Sequence, residues 1–363
     1  MEILNHQQCM TLALKWAERG LLTTAPNPRV GCVIVKDNRI IGAGFTQPPG
    51  GNHAEIEALG DAAAKGHDVR GATVYVTLEP CSHFGRTPPC CDALIRAGVA
   101  KVVAAVEDPN PQVAGQGLAR LAAAGIAVEC GVLADAAREM NIGFFSRMQH
   151  GKPWLRMKVA ASLDGRTALA DGQSQWITGQ AARDDGHAWR ACAGAILTGI
   201  GTVNADDPQM TVRAQDVMHQ PQRIVIDSKL AISPDARVLA GGGTWVVAAQ
   251  ANPEKEALLR DIGCEVIFLP DAADKVDLPA LMQELGRRQI NELHVEAGAK
   301  LNASLIRAAC VDELLLYLAP CLIGDGMPMF ALGALESLQH KRLLRFHEIR
   351  QIGEDLRILA RFN

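Results

Sequence analysis

His53-Ala54-Glu55, within "GGNHAEIEAL", sets an imidazole and a carboxylate two residues apart. Further along, Cys81, Cys90 and Cys91 crowd one short segment, "TLEPCSHFGRTPPCCDAL". Zinc held by one His and two Cys keeps a fourth position for water, the pattern of a catalytic rather than a structural site. Bound Zn2+ lowers the pKa of that water to about 7, so hydroxide is available at neutral pH. A nearby carboxylate that is not a ligand can then ferry protons, and Glu55 is spaced for that task. H-x-E followed by P-C-x-x-C is a zinc-deaminase signature. Here the second half opens as Pro80-Cys81, but eight residues instead of two precede Cys90. Plainer readings compete. Asn52 could cap a helix with Glu55 as its capping-box partner. The cysteines could be buried thiols, or a closed structural site with His83 or Cys91 as fourth ligand.

The flanking pattern supplies the elements these residues need. Ile56, Leu59, Ala62 and Ala63 recur at helical spacing, so a helix begins near His53. Val74 to Leu78 read as a strand that stops at Pro80, and Pro88-Pro89 lead into a helix starting near Cys90. Cys81 then lies just past a strand end and Cys90 at a helix N-terminus, where the dipole favours the thiolate. After "REMNIGFFSRMQHGKPW" the pattern restarts, with a boundary near Ser146 to Gly151 that gives domains 1–146 and 147–363. From "WLRMKVAASLDG" to "ELLLYLAPCLIG" strands and helices alternate, which predicts an α/β domain with a largely parallel sheet. No G-x-G-x-x-G is present. In "LHVEAGAKLNASLI" a helix follows a strand at once, and such a helix N-terminus suits a pyrophosphate. A plain βα turn would give the same pattern.

Bulk properties narrow the class. A chain of 363 residues exceeds one typical core, so two domains are expected. The net charge is −4 with no dense Lys/Arg run, which argues against nucleic acid as a partner. "MEILNHQQCMTLALKWAERG" lacks both a basic start and an uninterrupted apolar run, so it is not read as a signal peptide. No stretch suits a bilayer span, so no membrane partner is expected. The ten cysteines are mostly scattered and do not form a secreted disulfide framework. A soluble cytoplasmic enzyme, assembled as a homo-oligomer, is the expectation.

"TLEPCSHFGRTPPC", with its long inter-cysteine loop His83 to Pro89, and "TTAPNPRVGCVIV" resemble the bifunctional deaminase–reductases of bacterial riboflavin biosynthesis. "MKVAASLDGRTA", "SQWITG", "TVNADDPQMTVR", "IVIDS" and "VEAGAKLNASL" follow the reductase half of that family in order. The resemblance is thinnest from about Asp271 to Arg288 and after Gly324. It implies a cytidine-deaminase-like three-layer αβα domain followed by a dihydrofolate-reductase-like α/β domain. It also implies His53, Cys81 and Cys90 as zinc ligands, Glu55 as general acid/base, and Cys91 as a neighbour only. Asn27 and His83 would contact the pyrimidine substrate. NADPH would lie against Ala160, Trp176, Thr202, Asp206, Ser228 and the segment Gly298, Ala299, Lys300, Leu301, Asn302, Ala303 and Ser304. Lys158, Ser174, Arg190, Met210, Arg213 and Glu296 would hold the reductase substrate, with Arg190 and Arg213 as candidate phosphate forks. Met210 stands where the family pattern has Leu.

The implied chemistry is zinc-hydroxide deamination of 2,5-diamino-6-(5-phosphoribosylamino)pyrimidin-4-one, followed by NADPH reduction of the ribosyl to a ribityl chain. Two alternatives remain at this level: a nucleobase or tRNA deaminase with a non-catalytic C-terminal domain, and a zinc-stabilised binding protein.

Overall fold

Asn5 begins the first helix, α1 (His6–Glu18), with a capping box. Its side chain accepts from the Gln8 N–H, while the Gln8 side chain accepts from the Asn5 N–H. The hairpin β1 (Gly31–Lys36) and β2 (Arg39–Phe45) follows, then α2 (Ala54–Ala64), β3 (Thr73–Val76), α3 (Cys90–Ala97) and β4 (Lys101–Ala104). The first unit closes with α4 (Gln116–Ala123), β5 (Ala127–Cys130), α5 (Ala134–Met140) and α6 (Ile142–His150). Its sheet runs β2-β1-β3-β4-β5, antiparallel on either side of β1 and parallel from β3 to β5. The computed structural model describes residues 4–83, 88–111, 113–213 and 217–362. The chain divides into compact units Met1–Gly151 and Lys152–Asn363.

Two glycines show why helices cover both faces of this sheet. A Cβ on Gly31 would come within 1.9 Å of Ala13 O in α1, and one on Gly44 within 2.6 Å of Ala58 N in α2. Gly31 pairs with Phe45, the neighbour of Gly44, so the two glycines point to opposite faces. Helix α1 therefore packs on one face and α2 on the other, giving the three expected layers.

The second unit starts with β6 (Trp154–Ser162), β7 (Arg166–Leu169), α7 (Gln180–Cys192), β8 (Ala195–Gly199), α8 (Ile200–Asp206) and β9 (Gln222–Ile226). It continues through β10 (Trp245–Ala248), α9 (Pro253–Asp261), β11 (Glu265–Phe268), α10 (Leu278–Arg287), β12 (Glu292–Val295), α11 (Ala299–Arg307) and β13 (Glu313–Ala319). β14 (Gly326–Pro328), β15 (Leu344–Ile352) and β16 (Asp355–Phe362) complete it. The main sheet is β11-β10-β9-β8-β12-β6-β13-β16-β15, parallel up to β13, where the antiparallel β15–β16 hairpin is added. That hairpin lies in the stretch where the sequence resemblance fades. Leu155, Met157 and Val159 of β6 face the large core with α10 and α11, while Lys158 and Ala160 alternate onto the α7 side.

Candidate active sites

The first site is built at a helix start and beside a strand end. His53 is the N-cap of α2, and no side chain caps that helix. Asn52 instead donates to Glu57 Oε1 (2.9 Å), so the capping-box reading of Asn52 and Glu55 does not hold. Freed from capping, Glu55 is 4% exposed. His53 Nδ1 lies 3.6 Å from Cys81 Sγ and 3.3 Å from Cys90 Sγ. All three candidate ligand atoms fall within 4.8 Å of one another. One nitrogen and two sulfurs at this separation suit a tetrahedral zinc site with an open position.

Charge is arranged to match. Hydrogen bonds from the Cys90 thiol, His53 and the Cys90 N–H pull the Cys81 thiol down to about 4, against the effect of burial. Burial and the neighbouring Cys81 sulfur push the Glu55 carboxyl up to about 7, with His53 opposing. A buried carboxyl poised near neutrality is suited to proton transfer. Cys91 is fully buried, but its Sγ donates to Pro80 O and Gly117 O, which turns it to packing rather than to the metal. His83 is exposed and stands outside the three-ligand cluster, so neither residue closes the site. Asn27 is half-buried on the turn before β1, its N–H bonded to Thr24 O. The loop residues Phe84 to Thr87 of the family-like motif lie outside the described residues.

The second site forms at the carboxyl ends of adjacent parallel strands, where α/β sheets place ligands. Helices α8 and α11 leave the neighbouring strands β8 and β12 side by side. A Cβ on Gly298, the N-cap of α11, would face Thr202 Oγ1 at 3.9 Å. A Cβ on Gly199 would strike Leu301, so glycine lets α11 sit close over β8. No side chain caps α11. Asn302 is 1% exposed; its Nδ2 donates to Met329 O, and its buried Oδ1 has no partner among the described residues. An uncapped helix start, a glycine cradle and an orphaned acceptor fit a phosphate-bearing cofactor. Ser228 Oγ, just past β9, accepts from the Val276 N–H. Ser304 Oγ donates to Lys300 O, and Ala299 O accepts from the Ala331 N–H. Ala303 is buried, Lys300 and Asp206 are exposed, and Ala160 pairs with Tyr317 across β6 and β13.

Glu296, one residue past β12, is the charged centre. Arg190 Nε lies 2.5 Å from its Oε1 and Arg190 Nη2 2.9 Å from Oε2, while Lys158 Nζ is 3.8 Å from Oε2. Burial opposes ionisation, yet Arg190 and Lys158 hold this carboxyl well below its usual range. Two sequence expectations need correction. The fork of Arg190 is taken by Glu296, so its reading as a phosphate fork is withdrawn. Met210 is 4% exposed and packs in the cluster of Ile196, Val203 and Val225, so its side chain serves the core rather than the substrate. Trp176 is 69% exposed with the Arg183 guanidinium 4.6 Å above its ring. Arg213 remains exposed, its Nη1 donating to Thr211 Oγ1. Ser174 is half-buried before α7.

Some contributors escaped sequence reasoning. His294 is buried 3.2 Å from Glu296. Its i, i+2 spacing from Glu296 on β12 was a readable sign. Asp108 was not readable: burial pushes its carboxyl up to about 6, close to Cys81 and His83 in charge but distant from both in sequence.

These features define a two-activity enzyme, a zinc-dependent pyrimidine deaminase followed by a reductase. Residues 4–106 match the cytidine and deoxycytidylate deaminase zinc-binding region, and residues 153–358 match the RibD C-terminal domain. The chain is 48% identical to riboflavin biosynthesis protein RibD of Escherichia coli, with 96% of each chain covered. It is 42% identical to RibD of Bacillus amyloliquefaciens over 97% of this chain and 95% of that one. Among solved structures, Acinetobacter baumannii RibD aligns with a TM-score of 0.89 at 41% identity, covering 98% of both chains. The deaminase/5-amino-6-(5-phosphoribosylamino)uracil reductase of Thermotoga maritima gives 0.88 at 31% identity and the same coverage. The chain belongs to the RibD family of riboflavin biosynthesis enzymes. It deaminates and then reduces a small pyrimidine substrate, with Zn2+ and NADPH as cofactors, and the nucleobase or tRNA deaminase alternative is set aside.

Proposed function

We propose that the two activities divide between residues 1–146 and 147–363, with His53, Cys81 and Cys90 holding zinc and Glu55 as general acid/base. The observation that carries this is a carboxyl only 4% exposed beside three ligand atoms within 4.8 Å. Zinc supplies the acidity that makes water a nucleophile near neutral pH. Glu55 takes one water proton and delivers it to the ring nitrogen of 2,5-diamino-6-(5-phosphoribosylamino)pyrimidin-4-one as the water oxygen bonds to C2, then takes the remaining hydroxyl proton of that adduct and passes it to the departing amine. The C2–N bond breaks, oxygen remains on C2, and ammonia leaves. Asn27 and His83 orient the pyrimidine.

NADPH supplies hydride for reduction at C1′ of the opened ribose. Thr202, Ser228, Gly298 and Asn302 shape its cradle, with Ala160, Trp176, Asp206, Ala299, Lys300, Leu301, Ala303 and Ser304 around it. Lys158, Ser174, Arg190 and Glu296 hold the substrate, and Arg213 takes its phosphate. A split assay on zinc-loaded protein tests both halves. Ammonia is expected without NADPH, and NADPH oxidation only after it is added. Chelation should abolish ammonia release while leaving reduction of the deaminated intermediate intact. Ammonia release that survives complete zinc removal would overturn the metal assignment.

The chain assembles as a homo-oligomer. Supporting this, the edge strand β15 leaves Phe346 67% and Ile349 56% exposed, apolar surface that a second copy would cover. Light scattering on Phe346→Lys checks it. The enzyme works in the cytoplasm, in keeping with ten free cysteines. No helix among the described residues is long and apolar enough to cross a membrane.

A further inference from the structure

Glu79 stands two residues before Cys81 and is 3% exposed. Its carboxylate collects four backbone N–H groups. Asp108 (3.1 Å) and Gly115 (2.9 Å) donate to Oε2, and Gly117 (2.8 Å) and Leu118 (3.1 Å) donate to Oε1. Buried charge needs such compensation, and charge-assisted bonds of this kind are the strong ones. All four donors come from the segment between β4 and the first turn of α4. The two segments touch closely: a Cβ on Gly117 would lie 2.0 Å from Pro80 O.

Further ties reach both cysteine loops. Cys91 Sγ bridges Pro80 O and Gly117 O. Arg120 of α4 donates to Ser82 O (3.0 Å) and pairs with Asp92 at 2.5 Å. The residues on either side of Cys81, and those just after Cys90, are thus fastened to one short helix. The Glu79 carboxylate joins that helix to the strand end from which Cys81 projects.

We propose that Glu79, with Arg120 at the outer end of the same helix, is a positioning residue that fixes the separation of the Cys81 and Cys90 sulfurs and holds the Asp108 turn beside them. This rests on the deaminase reading of the His53, Cys81 and Cys90 cluster. Neither residue touches the reacting atoms. They act through the backbone that carries the two thiolates, as residues behind metal ligands commonly do.

The test uses full-length protein. Glu79→Gln preserves shape but turns an NH2 group toward N–H donors, leaving part of the set without an acceptor. Its zinc affinity, read by chelator competition, should fall by roughly tenfold to a hundredfold. Its cobalt(II)-loaded form should show displaced thiolate-to-metal charge-transfer bands. Arg120→Ala alters a half-exposed side chain and should shift the same bands less. It decides the matter if Glu79→Gln does not fold. A lower melting temperature with wild-type zinc affinity and wild-type cobalt bands would overturn the proposal, as would unmoved bands in Arg120→Ala. Wild-type ammonia release is read in parallel. Its absence would count against the deaminase reading alone, because the cobalt bands report on sulfur placement without turnover.

Discussion

The two sites of this chain solve the problem of burying charge in different ways. In the deaminase unit the chemical groups come from two short segments, and the charges that matter sit on sulfur, imidazole and one carboxyl that burial keeps near neutrality. In the reductase unit the centre is an ionised carboxylate, Glu296, held by cations from β6 and α7. Beside it a second buried network runs through Arg156, Glu292, Glu313 and Arg361 across four strands. A metal site needs few residues because the ion itself supplies the field, and it needs them placed within fractions of an ångström. A site for a phosphorylated substrate needs fixed opposite charges over a wider span, and these must be paired to be buried at all. The first design is local in sequence and the second is not.

The largest expected effect separates the two units outright. Glu55→Gln should keep zinc yet lose roughly 10²- to 10⁴-fold in ammonia release, while NADPH oxidation with the deaminated intermediate stays at the wild-type rate. A matching loss in both assays would break the comparison, since it would make one unit depend on the other.

Glu296→Gln should do the reverse and also cost stability, about 3 kcal/mol, because Arg190 is left buried without its charge partner. Its pH dependence has a definite sign. The Glu296 carboxyl lies below the ordinary value of 4.5 when folded, so its contribution is full above that value and is lost as pH falls through the depressed one. Acid unfolding of the second unit should therefore be steeper in the wild type than in the variant. Parallel acid limbs would show that the pair does not carry the folded charge.

Arg213→Ala should raise KM for the phosphorylated substrate about tenfold, the scale of one charge-assisted bond, with kcat little changed. Steady-state kinetics with the dephosphorylated compound supply the control, where wild type and variant should coincide. Equal discrimination by both proteins would remove Arg213 from phosphate binding. Met210→Leu marks the small end: a volume-conserving core exchange costing under about 1.5 kcal/mol, with substrate KM unmoved. A changed KM would return Met210 to the pocket.

Legibility followed the same division. "HAE", the cysteine run and the proline-marked helix start could be read directly, because helix initiation and strand termination are local events and metal ligation prefers their exposed ends. The position of Cys91 was read as a neighbour from resemblance, and its bonds to Pro80 and Gly117 give the physical reason. Asn52 misled because its sequence is that of a good cap, and the Glu57 side chain captured it instead. Arg190 misled because an isolated Arg in sequence gives no sign of a carboxylate arriving from β12. Met210 misled because a short loop segment shows no periodicity by which to judge burial.

The sequence by itself offered the candidate metal donors and proton carrier, the two-part α/β plan and the strand-to-helix turn at Gly298, since each depends on residue type and near-neighbour spacing. Only the tertiary structure decided that Arg190 belongs to Glu296 and that Glu79 gathers four N–H groups from the segment between β4 and the first turn of α4. Those are pairings between segments far apart in the chain, and the cost of burying an unpaired charge selects them only after the strands and helices have packed.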